Sequence, residues 1–182
     1  MKKKKIVVLT GSPRQNGNSF AMTDSFIKAA EEKGHKIVRF DTAFMNVGGC
    51  HDCETCYSKG VACSYEDDFN LIAPEIEKAD VIVFTMPVYW YTMPAQIKAV
   101  IDKLYSFIIG GIDTAGKRCA LITCCQELDT GVMDGVKMPY LRSLELLGWK
   151  SIGEVCVPGV FKIGDIENSD GCAKAAALAD LI

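Results

Sequence analysis

Four cysteines lie close together in the sequence at a spacing that suits redox or metal chemistry. Cys50, Cys53 and Cys56 follow one another at every third position, and Cys63 lies a few residues further on. A compact triple of thiols with a fourth nearby is typical of a 4Fe-4S cluster. Two alternatives stay open. The thiols could be free or form a redox disulfide, or they could bind zinc, with His51 replacing a thiol.

A polar loop at residues 10–19 could bind a phosphate group. It follows an apolar run and precedes a helical pattern, so its backbone amides lie at a helix N-terminus, where the dipole favours an anion. Arg14 could add a charge-assisted hydrogen bond. The loop has neither the Gly-Lys-Ser/Thr ending of a Walker loop nor the dinucleotide-binding Gly-x-Gly-x-x-Gly pattern. A polar turn with Ser19 near the helix cap is the alternative interpretation.

Three consecutive aromatic residues, Tyr89, Trp90 and Tyr91, follow another apolar run. Aromatic side chains at the end of a strand can flank a planar ring system, and the backbone beside them can hydrogen-bond its polar edge. A subunit interface is the alternative, because aromatic residues are enriched there. The two interpretations are compatible with each other.

These loops must be positioned by regular elements, and the apolar pattern predicts alternating strands and helices. Short apolar runs predict strands at residues 6–10, 37–41, 81–85, 119–124 and 152–157. Apolar residues at spacings of three and four predict helices at residues 19–33, after Asp68, at 94–108, at 139–147 and from Cys172. We expect Pro74 to delay the start of the second helix.

This alternation predicts an α/β fold, with helices on both faces of a parallel sheet. Five strands fit a three-layer, doubly wound sheet of flavodoxin-like order, and residues 1–182 are predicted to form a single domain. In such a sheet, ligands bind beyond the carboxyl ends of the strands, where the strand order reverses. The loops after the first, third and fourth strands are therefore the predicted site.

The composition limits the partners and the location. The net charge is −3, so no nucleic-acid partner is predicted, and the lysines at residues 2–5 are interpreted as a solvated tail. No apolar run reaches the roughly 20 residues that span a bilayer, so no membrane association is predicted. An odd number of cysteines, nine, without a recognisable export signal argues against a secreted disulfide framework and favours the cytoplasm.

The remaining residues of chemical interest are interpreted as structural. His35 follows the first predicted helix and is expected at the surface, and His51 is assigned no catalytic proton role. A buried thiol behaves as a small hydrophobic group. The cysteines outside the cluster are therefore expected in the core, namely Cys119, Cys124, Cys125, Cys156 and Cys172.

Two motifs together resemble the NADPH-dependent FMN reductases of the flavodoxin-like superfamily. One is Gly-Ser-Pro-Arg-x-x-x-Asn-Ser at residues 11–19, and the other is Pro-Val-Tyr-Trp-x-x-Met-Pro-Ala-Gln-x-Lys-x-x-Ile-Asp-Lys at residues 87–103. The resemblance runs from about residue 5 to about residue 157. It implies noncovalently bound FMN, with the phosphate held by Ser12, Arg14, Asn18 and Ser19 and the isoalloxazine ring lined by Pro87, Val88, Tyr89 and Trp90.

The same resemblance implies an NAD(P)H-dependent oxidoreductase that works as a homodimer or homotetramer. NAD(P)H would deliver a hydride to the flavin, and the electrons would pass to a small-molecule acceptor such as free flavin or a quinone. No catalytic side chain is predicted, because the flavin carries the chemistry. The loop around residues 123–127 would close the other side of the ring, although relatives often have a glycine-rich turn where this chain has Cys124-Cys125-Gln126-Glu127.

The cysteine spacing also resembles the iron–sulfur flavoproteins, a branch of the same superfamily in which a compact cysteine motif binds a 4Fe-4S cluster. The acidic pair Asp67-Asp68, shortly after Cys63, matches that branch. This resemblance implies an alternative function, an electron-transfer module with a ferredoxin-like donor. A flavin-binding redox sensor, whose cysteine loop changes on oxidation, is a third hypothesis.

Overall fold

Five parallel strands form one sheet in the computed structural model, which describes residues 2–182. The strands are β1 (Lys5–Thr10), β2 (Lys36–Asp41), β3 (Val81–Pro87), β4 (Arg118–Cys124) and β5 (Lys150–Val157). Their order across the sheet is β2-β1-β3-β4-β5. This is the flavodoxin-like order, which reverses between β1 and β3, so the predicted fold class is confirmed.

In residues 2–182, six α-helices connect or follow the strands. They are α1 (Asn18–Glu32), α2 (Phe69–Glu77), α3 (Ala95–Lys103), α4 (Tyr105–Ile109), α5 (Asp134–Leu147) and α6 (Gly171–Ala177). Short 3-10 turns lie at Thr42–Phe44, Thr130–Met133, Asp165–Asn168 and Leu178–Leu181. In the part of the chain that the structure describes, no helix is long and apolar enough to cross a membrane.

The core lies on both faces of the sheet. In β1, Val7 and Leu9 face one apolar cluster while Ile6 and Val8 face the other, and all four are fully buried. Helices α1 and α6 cover one face, and α2 to α5 cover the opposite face. A strand buried on both sides reads as a continuous apolar run, which is why the short runs predicted the strands correctly.

The two prolines expected to affect helix starts lie inside helices instead. Helix α2 begins at Phe69, directly after Asp68, and contains Pro74; helix α5 begins at Asp134, five residues before the predicted start at Pro139. A proline in the helix interior removes one backbone hydrogen bond. Buried apolar residues continue beyond both prolines on the same helix face, so packing against the sheet outweighs that loss.

The predicted helix at residues 94–108 is divided in two. Helix α3 ends at Lys103, and α4 begins at Tyr105. At the break the hydrogen bonds tighten, because the Leu104 amide donates to the Ile101 carbonyl and the Phe107 amide donates to the Leu104 carbonyl. Leu104 and Phe107 are buried, so the apolar stripe that predicted one helix continues across both.

Two surface assignments made from the sequence are wrong. His35 is buried, and its Nδ1 accepts a hydrogen bond from the Lys4 amide at 3.1 Å. Lys4 and Lys5 are not a solvated tail, since their ammonium groups pair with Asp80 at 2.9 Å and with Glu75 at 2.6 Å. These contacts form only when the strands assemble into the sheet, so no local sequence pattern reveals them.

Candidate functional site

A pocket of about 540 Å³ opens at the carboxyl edge of the sheet. It contains side chains from the loops after β1, β3, β4 and β5, where a ligand of a doubly wound sheet is expected. All eight residues predicted to bind FMN line it: Ser12, Arg14, Asn18, Ser19, Pro87, Val88, Tyr89 and Trp90. The structure therefore brings the whole predicted set together, and their binding of FMN stays a prediction.

The loop after β1 leads into a helix whose N-terminus has no side-chain cap. Helix α1 follows Gly17, and no side chain accepts hydrogen bonds from its first amides. Ser12 and Ser19 are buried polar residues at this end, each 3 % exposed. Uncapped amides, buried hydroxyls and the positive end of a 15-residue helix suit the phosphate of FMN.

The loop after β1 also lies close to α3. A Cβ atom on Gly11 would come within 2.7 Å of Ile97 Cγ2, and the Gly11 amide donates to the Thr85 carbonyl at 2.8 Å. Only a residue without a side chain allows this approach, so Gly11 lets the loop pack closely against α3 and β3.

The loop after β3 ends in a tight turn that carries the aromatic residues. The amides and carbonyls of Tyr89 and Thr92 bond to each other at 2.9 and 3.0 Å. Between them, Trp90 and Tyr91 have φ angles of 48° and 64°, a left-handed conformation that is uncommon for bulky residues. Trp90 is 92 % exposed at the pocket mouth. Strained backbone of this kind is concentrated at functional sites.

The loop after β4 lines the same pocket as the aromatic turn. Cys124, Cys125, Gln126 and Glu127 line the pocket. The Val88 amide donates to the Cys124 carbonyl at 2.8 Å, so the loops after β3 and β4 are joined directly. Burial, followed by the charge of Glu127, raises the pKa of the Cys125 thiol, which keeps it protonated at neutral pH.

Residues 158–166 form a wall of the pocket that the sequence analysis missed. Val160, Phe161 and Ile163 line the pocket from this segment. The Asp165 carboxylate accepts the amides of Phe161 at 2.9 Å and Lys162 at 2.7 Å, which folds the segment into a compact loop. Glycines on both sides of this loop, directly after a predicted strand, were the signal that could have identified it.

Two predicted phosphate ligands hold this wall in place. Asn18 Nδ2 donates to the Lys162 carbonyl at 2.9 Å, and Asn18 Oδ1 accepts the Ile166 amide at 3.3 Å. Arg14 Nη1 lies 3.4 Å from the Phe161 carbonyl, to which it donates. The side chain of Asn18 thus positions the segment after β5. Its backbone amide, at the start of α1, is the group of this residue that remains for the predicted phosphate contact.

The cysteine loop is closed at its base by Asp67 and Asp68. Asp68 exchanges two hydrogen bonds with Asn46, since its Oδ2 accepts the Asn46 amide at 2.7 Å and its own amide donates to the Asn46 carbonyl at 2.9 Å. Asp67 Oδ2 accepts the Gly48 amide at 3.0 Å. The acidic pair therefore acts through the backbone and holds residues 46–68 as a closed loop.

All four predicted ligands, Cys50, Cys53, Cys56 and Cys63, line one small cavity within this loop. Burial raises the pKa of Cys56, and the negative charges of the other three thiolates raise it further. A hydrogen bond from Thr55, whose Oγ1 lies 3.1 Å from the Cys53 sulfur, lowers the pKa of that thiol.

The donor set fits a four-iron cluster in number and ligand type, because such a cluster takes four cysteine thiolates. Among residues 2–182, no group of three or more His, Cys, Asp or Glu side chains is arranged to hold a metal ion. That finding includes the four cysteines, so it bears on zinc and on an iron–sulfur cluster alike, and both stay predictions. His51 stacks on Tyr65 with ring centroids 4.3 Å apart, on the cavity wall and away from the flavin pocket.

The backbone of the cysteine loop alternates in handedness around Cys53. Asp52 and Glu54 have φ angles of 50° and 52°, while Cys53 between them has a negative φ. Such alternation turns successive amides toward one side and forms a concavity that favours anions, as in many iron–sulfur sites. This conformation is consistent with a negatively charged group inside the loop.

Comparison with known proteins shows the family to which the chain belongs. The family model of the NADPH-dependent FMN reductases matches residues 4–140. An iron-sulfur flavoprotein of Archaeoglobus fulgidus is 31% identical over 103 residues, which cover 57% of this chain and 46% of that protein. The chain thus spans about half the length of the iron-sulfur flavoproteins it matches.

Two longer matches come from quinone reductases. An FMN-dependent NADH:quinone oxidoreductase of Pseudoalteromonas atlantica is 23% identical over 175 residues, covering 86% of this chain and 87% of that protein. The structure of an NAD(P)H:quinone oxidoreductase from Methanothermobacter marburgensis superposes with a TM-score of 0.78 at 20% identity, covering 99% and 96% of the two chains. Since the family match extends over most of the sequence, the chain belongs to the NADPH-dependent FMN reductase family.

Proposed function

We propose that this protein is an FMN-dependent oxidoreductase that takes electrons from NAD(P)H and passes them to a small-molecule acceptor such as a quinone or free flavin. The observation that carries the proposal is the pocket at the carboxyl edge of the sheet, where the uncapped start of α1 meets the aromatic turn after β3. FMN, when bound, supplies hydride acceptance and electron delivery. The relatives named as NAD(P)H- or NADH:quinone oxidoreductases support the choice of donor and acceptor.

The residues of the pocket divide the work of binding. Ser12, Ser19 and the first amides of α1 would hold the phosphate, with Arg14 at the rim. The loops after β3 and β4, whose backbones are joined at Val88 and Cys124, would together line the ring. No acidic or basic side chain is needed to move a proton in this scheme.

The proposal is tested by titrating the flavin-free protein with FMN while following flavin fluorescence. We expect binding of one FMN per chain, followed by NADH or NADPH oxidation when benzoquinone or free FMN is added. Comparison of the two nicotinamides identifies the preferred donor. A protein that binds no FMN, or binds it without oxidising either nicotinamide in the presence of an acceptor, contradicts the proposal.

A second candidate function is favoured by the cysteine cavity. Four thiols around one cavity, together with the match to iron-sulfur flavoproteins, support an electron-transfer module that holds a 4Fe-4S cluster on Cys50, Cys53, Cys56 and Cys63 and receives electrons from a ferredoxin-like donor. Protein purified anaerobically from iron-supplied cells should then contain about four irons per chain. Flavin absorption without iron or sulfide would contradict this candidate.

We also infer a homodimer or homotetramer in the cytoplasm. An exposed tryptophan at the mouth of the flavin pocket supports an assembly that covers it, because aromatic residues are enriched at subunit interfaces. The nine free cysteines suit a reducing compartment. Sedimentation velocity of the FMN-loaded protein tests the assembly, and a monomer at micromolar concentration would contradict it.

A further inference from the structure

A buried lysine lies against the cysteine cavity. Lys103, the last residue of α3, is only 4 % exposed and lines the cavity together with the four cysteines. Lysine is almost never fully buried unless its charge is paired. A charged group in this position therefore needs an explanation in terms of what faces it.

The ammonium group of Lys103 has one hydrogen-bond acceptor among residues 2–182, the carboxylate of Asp67. That carboxylate is shared, since its oxygens also accept the Gly48 and Phe69 amides, each at 3.0 Å. The Lys103 nitrogen lies 5.9 Å from the centroid of the Phe69 ring, which contributes a weak further attraction. An ammonium has three donors, so two of them remain for other partners.

Lys103 lines the cavity, so a group that fills the cavity would lie beside its remaining donors. Burying a charge with unused donors is costly unless an acceptor fills the space beside it. The ionisable groups around this cavity besides Lys103 and the cysteines are His51, Asp52, Glu54, Tyr65 and Tyr105. His51, Asp52 and Glu54 are exposed, so water screens their charges more strongly than that of Lys103.

We propose that Lys103 is the counter-charge of the anionic group held by Cys50, Cys53, Cys56 and Cys63, and that its free N–H groups donate toward the sulfur atoms of that group. The proposal rests on the cluster-bearing candidate function described above. A cluster held by four thiolates becomes more negative when it takes up one electron from a donor. A buried positive charge favours that reduced state, because net charge and hydrogen bonds to the sulfurs set the reduction potential.

The test is an anaerobic redox titration with dithionite, in which the reduced cluster is followed by electron paramagnetic resonance. In Lys103→Gln, which removes the charge, we expect the equilibrium constant for cluster reduction to fall at least tenfold, a shift of about 59 mV to lower potential for a one-electron couple. The FMN potential should not change. Lys103→Arg keeps the charge, so its cluster potential should stay close to the wild-type value.

Lys98→Gln is the matched control, because Lys98 belongs to the same helix but has a side chain that is 44 % exposed and pairs with Asp102 at 2.6 Å. It should leave the cluster potential at the wild-type value. The double variant Lys103→Gln/Asp67→Asn removes both charges of the buried pair. If Lys103 only neutralised Asp67, the double variant would regain the wild-type potential, which would overturn the proposal; we expect its potential to stay low.

Iron and sulfide analysis distinguishes failure of the cluster hypothesis from failure of the role proposed for Lys103. A wild-type protein without iron contradicts the cluster itself, and with it the role of Lys103. A wild-type protein and a Lys103→Gln variant that both contain about four irons but titrate at the same potential contradict only the role of Lys103.

Discussion

Asn18 shows how a side chain within a binding loop can act on the protein instead of on the ligand. Both ends of its carboxamide bond to residues 162–166, and the residue itself is buried. Its backbone, in contrast, belongs to the first turn of α1 at the predicted phosphate site. The residue thus links the start of the flavin pocket to the wall that follows β5.

We predict that Asn18→Ala weakens FMN binding about tenfold, because the loss of two hydrogen bonds of about 1 kcal/mol each releases the wall formed by residues 158–166. Fluorescence titration with FMN measures this. Asn16→Ala is the control, since Asn16 is exposed in the same loop, and it should bind FMN as the wild type does. Equal affinities for all three proteins would show that the wall does not depend on Asn18.

His35 gives the protein a pH-dependent term in its stability. Burial, followed by the charge of Lys33, lowers the pKa of His35 below its ordinary value of 6.5. The unfolded chain therefore takes up this proton at a higher pH than the folded chain does. The stabilisation is complete above pH 6.5 and is lost as the pH falls from 6.5 through the lower pKa of the folded state.

We predict that the free energy of unfolding decreases between pH 6.5 and pH 5 by a smaller amount in His35→Gln than in the wild type. Glutamine can still accept the hydrogen bond from the Lys4 amide but has no proton to gain. Urea denaturation at both pH values measures the difference. The same decrease in both proteins would assign the pH dependence to other groups.

At the residue scale, the sequence predicted which side chains meet but not what each one contacts. The eight pocket residues come from two motifs whose loops follow β1 and β3, so their proximity follows from the sheet. The bonds of Asn18 to residues 162–166 depend on how the chain returns after β5, which no local pattern encodes. The burial of His35 depends likewise on its contact with Lys4, the residue directly before β1.

At the element scale, two glycines mark where helices touch the two sites. A Cβ atom on Gly135, in the first turn of α5, would overlap the carbonyl oxygen of Tyr91 in the aromatic turn. A Cβ atom on Gly110, at the end of α4, would overlap the ring of Tyr57 in the cysteine loop. Tyr57 is otherwise anchored by a hydrogen bond from its hydroxyl to Glu77.

We predict that alanine at each of these two positions affects one site and leaves the other unchanged. Gly135→Ala displaces the aromatic turn and should weaken FMN binding about tenfold, since overpacking costs about 1–3 kcal/mol, without changing the iron content. Gly110→Ala displaces Tyr57 and should lower the iron content while FMN binding stays at the wild-type level. Flavin titration and iron analysis are measured on both proteins, so each variant is the control for the other. Loss of both cofactors in either variant would contradict the independence of the sites.

The strands were the most predictable elements, and the helix starts were the least. A strand buried on both faces must be apolar throughout, so β1, β3 and β4 appear as short apolar runs. The start of α5 was misplaced, and Pro74 was wrongly expected to delay α2, because proline was given more weight than the apolar residues around it. The end of α5 was predicted correctly, because Gly148 adopts the left-handed conformation that favours glycine, with φ of 66°.

On the scale of the whole molecule, α3 connects the two candidate sites. It begins after Pro94, which ends the aromatic loop, and finishes at Lys103 in the cysteine cavity. Nine residues at 1.5 Å each make it about 14 Å long. The flavin pocket and the cysteine cavity of one chain are thus held apart by a rigid element packed on the sheet.

We predict that FMN stabilises the folded protein more than riboflavin does, because riboflavin lacks the phosphate that the start of α1 is suited to hold. A ligand at 100 times its Kd adds about 2.7 kcal/mol, which corresponds to roughly 5–10 °C in Tm for a chain of this size. Thermal denaturation followed by circular dichroism, with each flavin at the same concentration, measures the effect. Equal shifts with both flavins would contradict a phosphate site at α1.

The fold and the location of the flavin pocket could be predicted as a whole, because strand order and loop position follow from one topology. The content of the cysteine cavity could not. Spacing shows that thiols can meet, but a cluster, a disulfide and free thiols share the same spacing. The buried charge of Lys103 is a property of the assembled loop and helix, so it too is invisible in the spacing, and iron and sulfide analysis is what distinguishes these possibilities.

The closure of residues 46–68 by Asp67 and Asp68 makes the cysteine loop an exchangeable unit. The Asp68 carboxylate accepts the Asn46 amide, the Asp68 amide donates to the Asn46 carbonyl, and the Asp67 carboxylate accepts the Gly48 amide, so the two ends of the loop are held together at its base. The pocket at the carboxyl edge of the sheet takes none of its lining from residues 46–68. We therefore predict that a shorter peptide without cysteines, inserted between Asn46 and Asp67, leaves FMN binding at the wild-type level.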